Sequence, residues 1–377
     1  MNHSTPLFIG LMSGTSLDGI DAVLAKIEAS GKATILEALS LPFEPQLRKA
    51  LWDLQSPGAN EIHRENQAAN ALALAYAKAV DQLLKKADLT PREIAAIGAH
   101  GQTIRHQTQL PEGLAYTHQT LNAALLAEKT GIDVIADFRS RDIAAGGHGA
   151  PLVPAFHSQQ FGVAGEERAA LNIGGIANLT LLPGTGEVKG FDCGPGNMLM
   201  DAWIAEQQGH AFDQDGTWAL QGKVHAPLLQ RMLADLFFSK PPPKSTGRDD
   251  FHLPWLIANI GGDNIDPEDV QATLLHLTAE SALVALAEHA PQTKRLIVCG
   301  GGARNHALMQ LLQTKAQTIF HHPISIATSD SFGIDPQLVE GLAFAWLAWA
   351  HKEKRPANLP AVTGARGPRI LGACYPA

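Results

Sequence analysis

This chain predicts an α/β fold with mixed sheets, built twice, and three observations carry the prediction. Glycine-rich strand-turn-strand segments recur about half a chain apart, GLMSGTSLDGID at 10–21 and ALNIGGIANLTLL at 170–182. Each is followed by another short turn and a third strand, at 33–41 and at 187–191. Beyond each meander, short apolar strands alternate with helical periodicity, the pattern of mixed sheets flanked by helices. A chain of 377 residues exceeds what one hydrophobic core usually serves, so two domains are expected. We place them at 1–135 and 136–377 with a soft boundary, the C-terminal helix being free to pack back on the first.

The elements follow in order. Residues 61–86 are helical, with Ala69, Leu72, Tyr76, Val80 and Leu83 on one stripe and Thr90-Pro91 closing the segment. Residues 94–99 form a short buried strand that ends in His100-Gly101-Gln102, and the residues up to His106 read as a loop. A helix at 122–130 stops at Gly131, and a strand at 132–136 delivers Asp137. In the second half, helices are expected at 197–208, 225–238, 269–289, 304–315 and 338–352, with a strand at 295–299 running into Gly300. Three prolines make PPPKSTGR at 241–248 an irregular loop, since proline suits neither a helix interior nor a central strand.

Composition excludes several classes. A net charge of −8 argues against nucleic acid as the main partner. The longest aliphatic-aromatic run, at 342–350, is less than half of the about 20 residues a membrane span needs. Residues 1–6 are polar and the apolar strand after them is too short for a signal sequence. Three widely spaced cysteines fit a reducing cytoplasm better than a disulfide framework. The 16 histidines form no HExxH pattern, and no Lys-Ser/Thr closes either glycine turn into a Walker A loop.

Tight glycine turns that leave backbone N–H groups unpaired make anion sites, and two of them facing across a cleft would grip a polyphosphate from both sides. The leading reading is a nucleotide-dependent phosphotransferase; the plain alternative for the first turn is an ordinary hairpin rich in Gly, Ser and Asp. CGGG at 299–302 adds a strand end with bare backbone, against which an adenosine or phosphate can sit. Asp192, in FDCGPGN at 191–197, stands where an α/β strand ends in a crevice and is placed as a general base; the competing reading is a helix cap. The segments around His100 and Gln102 and around Arg139, Arg141, Asp142, Gly147 and Pro151 read as substrate wall, because arginine forks suit carboxylates and phosphates. For any one arginine, a surface ion pair explains it equally well. KSTGR at 244–248 is a third candidate clamp.

Together with GQTIRH at 101–106, DFR at 137–139, RDIAAGGHGAPLVP at 141–154 and NIGGIAN at 172–178, these motifs resemble the anhydro-N-acetylmuramic acid kinase family over residues 8–375. The resemblance implies the actin/hexokinase-like ATPase superfamily, two RNase H-like domains with ATP in the interdomain cleft. It implies that ATP and water convert 1,6-anhydro-N-acetylmuramic acid to N-acetylmuramic acid 6-phosphate in cell-wall recycling, with Mg²⁺ as cofactor. Carried over by motif, Asp192 is the catalytic base. Gly14, Thr15, Ser16, Leu17, Asp18, Gly19, Ile20 and Asp21 form the phosphate loop. Gly174 and Gly175 face the same nucleotide, and Gly300, Gly301, Gly302 and Asn305 contact adenosine. Met12 stands where the superfamily usually has an Asp, so the metal falls to Asp18. The expected partner is a small amino sugar, without nucleic acid or membrane, and a homodimer is allowed. Another sugar kinase of the superfamily and a non-catalytic ATP-gated clamp are the rival readings.

Overall fold

The computed structural model describes residues 5–14, 17, 19–108, 110–111 and 113–377. The chain divides into two compact units, Met1–Gln160 with Leu338–Ala377, and Phe161–Gln337. In chain order the strands are β1 (Leu7–Met12), β2 (Gly19–Ile27), β3 (Ala33–Pro42), β4 (Ile94–Ala99), β5 (Gln102–Gln107), β6 (Tyr116–Thr120), β7 (Val134–Ala136), β8 (Arg168–Ile173), β9 (Ile176–Leu182), β10 (Lys189–Pro195), β11 (Arg295–Cys299), β12 (Ser325–Thr328) and β13 (Ala373–Tyr375).

The duplication legible in the glycine turns is a duplication of topology. In the first unit the sheet order is β13-β7-β4-β1-β2-β3, and in the second it is β10-β9-β8-β11-β12. Within each unit, three strands form an antiparallel meander, and the first of them pairs in parallel with the strand that follows. A further parallel strand completes each set, β7 beside β4 and β12 beside β11. Both sheets therefore have the 3-2-1-4-5 order of an RNase H-like domain, the first with β13 added at its edge.

The unit boundary lies at 160/161, later than the expected 135/136, for three reasons. Strand β7 pairs with β4 in the first sheet. Gln160 clasps Ala33 of β3, accepting its N–H at 3.1 Å and donating to its carbonyl at 3.1 Å, and Gln159 donates to Ser30 O at 2.8 Å. Helix Val339–Lys352 returns to the same sheet at backbone distance. A Cβ on Gly10 would stand 1.9 Å from Gly341 O, and one on Gly98 2.0 Å from Phe344 O. Only glycine on β1 and β4 lets the helix lie this close.

In the second unit, helix Pro267–His289 is buried along most of its length, as expected of a helix apolar on every side. It is long and apolar enough to cross a membrane by length and composition, but 78% of its apolar window is buried inside the protein. The helix expected at 225–238 is two, Ala226–Leu233 and Leu236–Ser239, because the Asp235 carboxylate caps the second by accepting from Phe237 N at 2.9 Å. The loop expected at 100–106 is largely strand β5, paired with β6 in a separate ribbon.

Gly98→Ala should force the returning helix off the sheet. We expect a loss of about 1–3 kcal/mol, the usual cost of overpacking, in chemical denaturation. An unchanged midpoint would show that the helix can retreat without cost.

Candidate active site

In the second unit, Asp192 sits on β10 where the ladder breaks. Asp192 pairs with Asn178 and Gly194 with Ala177, so Cys193 is the extra residue of a bulge, a device that re-aims neighbouring side chains. Cys193 points inward, its Sγ 3.2 Å from Ala177 O. The Asp192 carboxylate is mostly withdrawn from water, and that burial pushes its pKa up to about 6. The Thr246 N–H, donating to Oδ2 at 3.0 Å, pulls in the other direction without cancelling the effect. A proton acceptor tuned close to neutrality is what general-base catalysis requires.

The glycine turns meet beside it. Gly174 O accepts from Asn197 N at 2.8 Å, and Gly175 O accepts from Gly196 N at 2.8 Å and Met198 N at 3.2 Å, which ties the β8–β9 turn to the start of helix Met198–Gln208. Strand β11 ends level with β8, Cys299 opposite Asn172. Residues 172–175, 192–197 and 300–302 thus gather at the carboxyl ends of two parallel strands, where α/β sheets bind ligands.

These glycines are of two kinds. Gly300 has φ +81°, and a Cβ there would meet Asn172 Oδ1 at 2.5 Å; one on Gly302 would meet Ile173 Cγ2 at 2.4 Å. Those two are glycine because the fold needs them so. At Gly174, Gly175 and Gly301 a Cβ would have no described atom nearer than 3.7, 3.8 and 3.8 Å. Nothing in the fold demands glycine there, so the open backbone fits close approach by a ligand.

In the first unit a polar cluster forms behind the β1 turn. Ser13 Oγ donates to Gly101 O at 3.0 Å and lies 3.0 Å from the buried Tyr76 hydroxyl. Gln102 Nε2 donates to Gly14 O at 3.1 Å, while its buried Oε1 has no partner among the described residues. Arg139 Nη1 donates to Gly149 O at 2.9 Å and Nη2 to His100 Nε2 at 3.0 Å. Arginine only donates, so Nε2 is the acceptor and His100 Nδ1–H faces Ser13 O at 3.3 Å. Burial first, and the Arg139 charge second, bring His100 down to about 3, so it stays neutral. Burial lowers Arg139 to about 10, opposed by the Glu340 charge, and Arg139 remains a cation at neutral pH.

The model of one family, anhydro-N-acetylmuramic acid kinase, matches residues 6–377. The chain belongs to this family. A relative of that name from Ralstonia nicotianae is 54% identical, covering 98% of this chain and 97% of its own, and one from Cupriavidus pinatubonensis is 53% identical over 98% of each. A solved activator of 2-hydroxyisocaproyl-CoA dehydratase from Clostridium difficile with bound ADPNP is matched at TM-score 0.47 and 13% identity, covering 92% of this chain and 96% of that one, a likeness too distant to carry an argument.

Of the residues that the family motifs single out, Thr15, Ser16 and Asp18 lie outside the described residues. Leu17, with φ +58°, and Ile20 bury their side chains in the first unit's core, leaving only backbone for a ligand. Gly19 is required by the fold, a Cβ there falling 2.2 Å from Leu41 O. Asp21 accepts from Ser40 Oγ at 2.5 Å. Asn305 spends its Oδ1 capping helix His306–Ile319, on Leu308 N at 3.0 Å.

The wall reading needs correction at two positions. Asp142 is fully buried, and its carboxylate takes Gly149 N at 2.8 Å, Asn358 Nδ2 at 2.6 Å and Thr363 Oγ1 at 2.7 Å. It braces the 139–149 loop against the C-terminal segment and has no surface to offer a ligand. Gly147 makes room for that brace, a Cβ there falling 2.2 Å from Asp142 Oδ2. Arg141 is exposed, and Pro151 is half-buried after a cis peptide bond. Ser13, read from the sequence as part of the first glycine turn, turns its hydroxyl to Gly101 O and Tyr76, while the parts played by Tyr76 and Glu340 have no counterpart in the sequence reading. Tyr76 carried a signal, the one hydroxyl on an otherwise apolar stripe.

The raised carboxyl makes a stability prediction. Below pH 3.8 Asp192 is protonated in both states; as pH rises to about 6 the unfolded chain ionises first, and stability is lost. Asp192→Asn should match the wild type near pH 3.5 and exceed it by roughly 3 kcal/mol above pH 6.5. A variant less stable at neutral pH would show that the carboxylate holds the fold together.

Proposed function

We propose that this chain is an ATP-dependent kinase that opens 1,6-anhydro-N-acetylmuramic acid with water and phosphorylates it to N-acetylmuramic acid 6-phosphate, a cytoplasmic step of cell-wall recycling. The observation that carries this reading is the desolvated Asp192 at the same end of the sheet as three glycines that the fold itself does not need.

In the anhydro-sugar O6 is bonded to C1, so there is no free 6-hydroxyl to deprotonate. Asp192 takes a proton from a water whose oxygen attacks C1. The C1–O6 bond breaks, O6 bonds to the γ-phosphorus of ATP, the bridging P–O bond breaks and ADP leaves. The water's oxygen remains as the C1 hydroxyl, and the proton passes from Asp192 to solvent. Open backbone at Gly174, Gly175 and Gly301 accepts the nucleotide. Arg139, oriented by His100 and kept charged with the help of Glu340, supplies a fixed cation for the anionic substrates.

Among the described residues no three His, Cys, Asp or Glu side chains gather as a metal cage. That fits Mg²⁺, which takes one or two carboxylates and otherwise uses phosphates and water. Asp18 is its proposed protein ligand, and the ion would offset phosphate charge.

Phosphate transfer from Mg-ATP, measured with and without the anhydro-sugar, tests the reading. Turnover should require the anhydro-sugar and fall by about 10²–10⁴ in Asp192→Asn, the span for a lost general base, with ATP affinity kept. Gly301→Ala should raise the KM for ATP without loss of stability. Preference for free N-acetylmuramic acid, or wild-type turnover in Asp192→Asn, would overturn the proposal.

A further inference from the structure

Lys244 would ordinarily be taken for a phosphate ligand, as a cation in a proline-rich loop near the glycine turns. Its ammonium is already engaged. Nζ donates to the carbonyls of Phe237 at 3.3 Å and Phe238 at 3.0 Å, at the end of helix Leu236–Ser239, and lies 4.8 Å from the centre of the Phe237 ring. The backbone on either side of this anchor runs along the edge strand of the second sheet. Lys244 O accepts from Asp192 N at 3.1 Å, and two residues later Thr246 N returns a hydrogen bond to Asp192 Oδ2 at 3.0 Å. Thr246 Oγ1 donates to Asp250 at 2.7 Å, which fixes the far side of the loop.

We propose that Lys244 is a positioning residue: by pinning its loop to helix Leu236–Ser239 it holds segment 244–246 on β10 and sets the orientation and proton affinity of Asp192. The proposal rests on Asp192 being the base. Among the described residues, the charged or titratable groups facing this arrangement are Cys193 on β10, Lys240 and Asp250 in the loop, and Glu288 and His289 on helix Pro267–His289. No phosphate need approach Lys244 for it to matter.

Lys244→Met keeps a stem against the Phe237 ring and removes the ammonium. The Thr246 N–H then loses its hold on Asp192, and since that bond favours the carboxylate, the acid limb of the kcat profile should move up by about one pH unit. The KM for ATP should stay put, and Lys244→Arg should restore much of the wild-type profile. Thr246→Pro, which deletes the N–H while leaving Lys244 in place, should shift the limb in the same direction and carries the test if Lys244→Met does not fold. A raised KM for ATP with an unmoved acid limb would make Lys244 a nucleotide ligand and overturn the inference; so would a profile that does not move at all. Full turnover in Asp192→Asn would instead remove the base itself, so the two failures are distinguishable.

Discussion

Withholding water from one carboxylate is the constraint on which the second unit's site depends. A buried charge is costly unless it is paired, and among the described residues Asp192 has one backbone N–H where a structural acid such as Asp142 has three donors. The contrast separates the two. Asp142 is satisfied and braces a loop, whereas Asp192 is left under-satisfied at a bulge beside open backbone, with its proton affinity raised into the range where it can act. The fold gives up stability at this point, a cost that the proposed role of Asp192 as a base accounts for.

The sheets explain why such a residue is where it is. In each RNase H-like unit the central strand ends in a small-residue turn, Ser13-Gly14 after β1 and Gly174-Gly175 after β8, next to the end of a parallel neighbour. In the second unit the Gly174 and Gly175 carbonyls consume the first N–H groups of helix Met198–Gln208. The turn is therefore rigid on its inner side and bare on its outer one. In the first unit the equivalent rigidity comes from side chains, through Ser13, Tyr76 and Gln102. The same topology is braced in two chemically different ways.

Much of this was legible in the sequence because glycine turns and apolar strands are local signals. The repeated meander, most of the long helices and the place of Asp192 near a strand end could be read from order and spacing, and the family from the resemblance of its motifs. What could not be read depended on distant partners. Asp142 looked like a ligand because Asn358 and Thr363, which take its oxygens, lie 216 and 221 residues away. Glu340 opens a helix whose return to the first sheet is fixed by Gly10 and Gly98, so its influence on Arg139 left no local trace. Strand β5 reads as loop in the sequence because Gln102, Thr103, Arg105 and His106 are polar, and its ribbon with β6 lies outside the main sheet. Nor does periodicity reveal a bulge such as that at Cys193, which needs the partner strand to define it.

The central claim is that Asp192 activates water and not a sugar hydroxyl. Turnover in ¹⁸O-labelled water tests it most directly, with the product examined by mass spectrometry and ³¹P NMR. The account predicts one new label on the C1 hydroxyl of N-acetylmuramic acid 6-phosphate and none on its phosphoryl group. Label in the phosphoryl oxygens, or an unlabelled C1 hydroxyl, would contradict it.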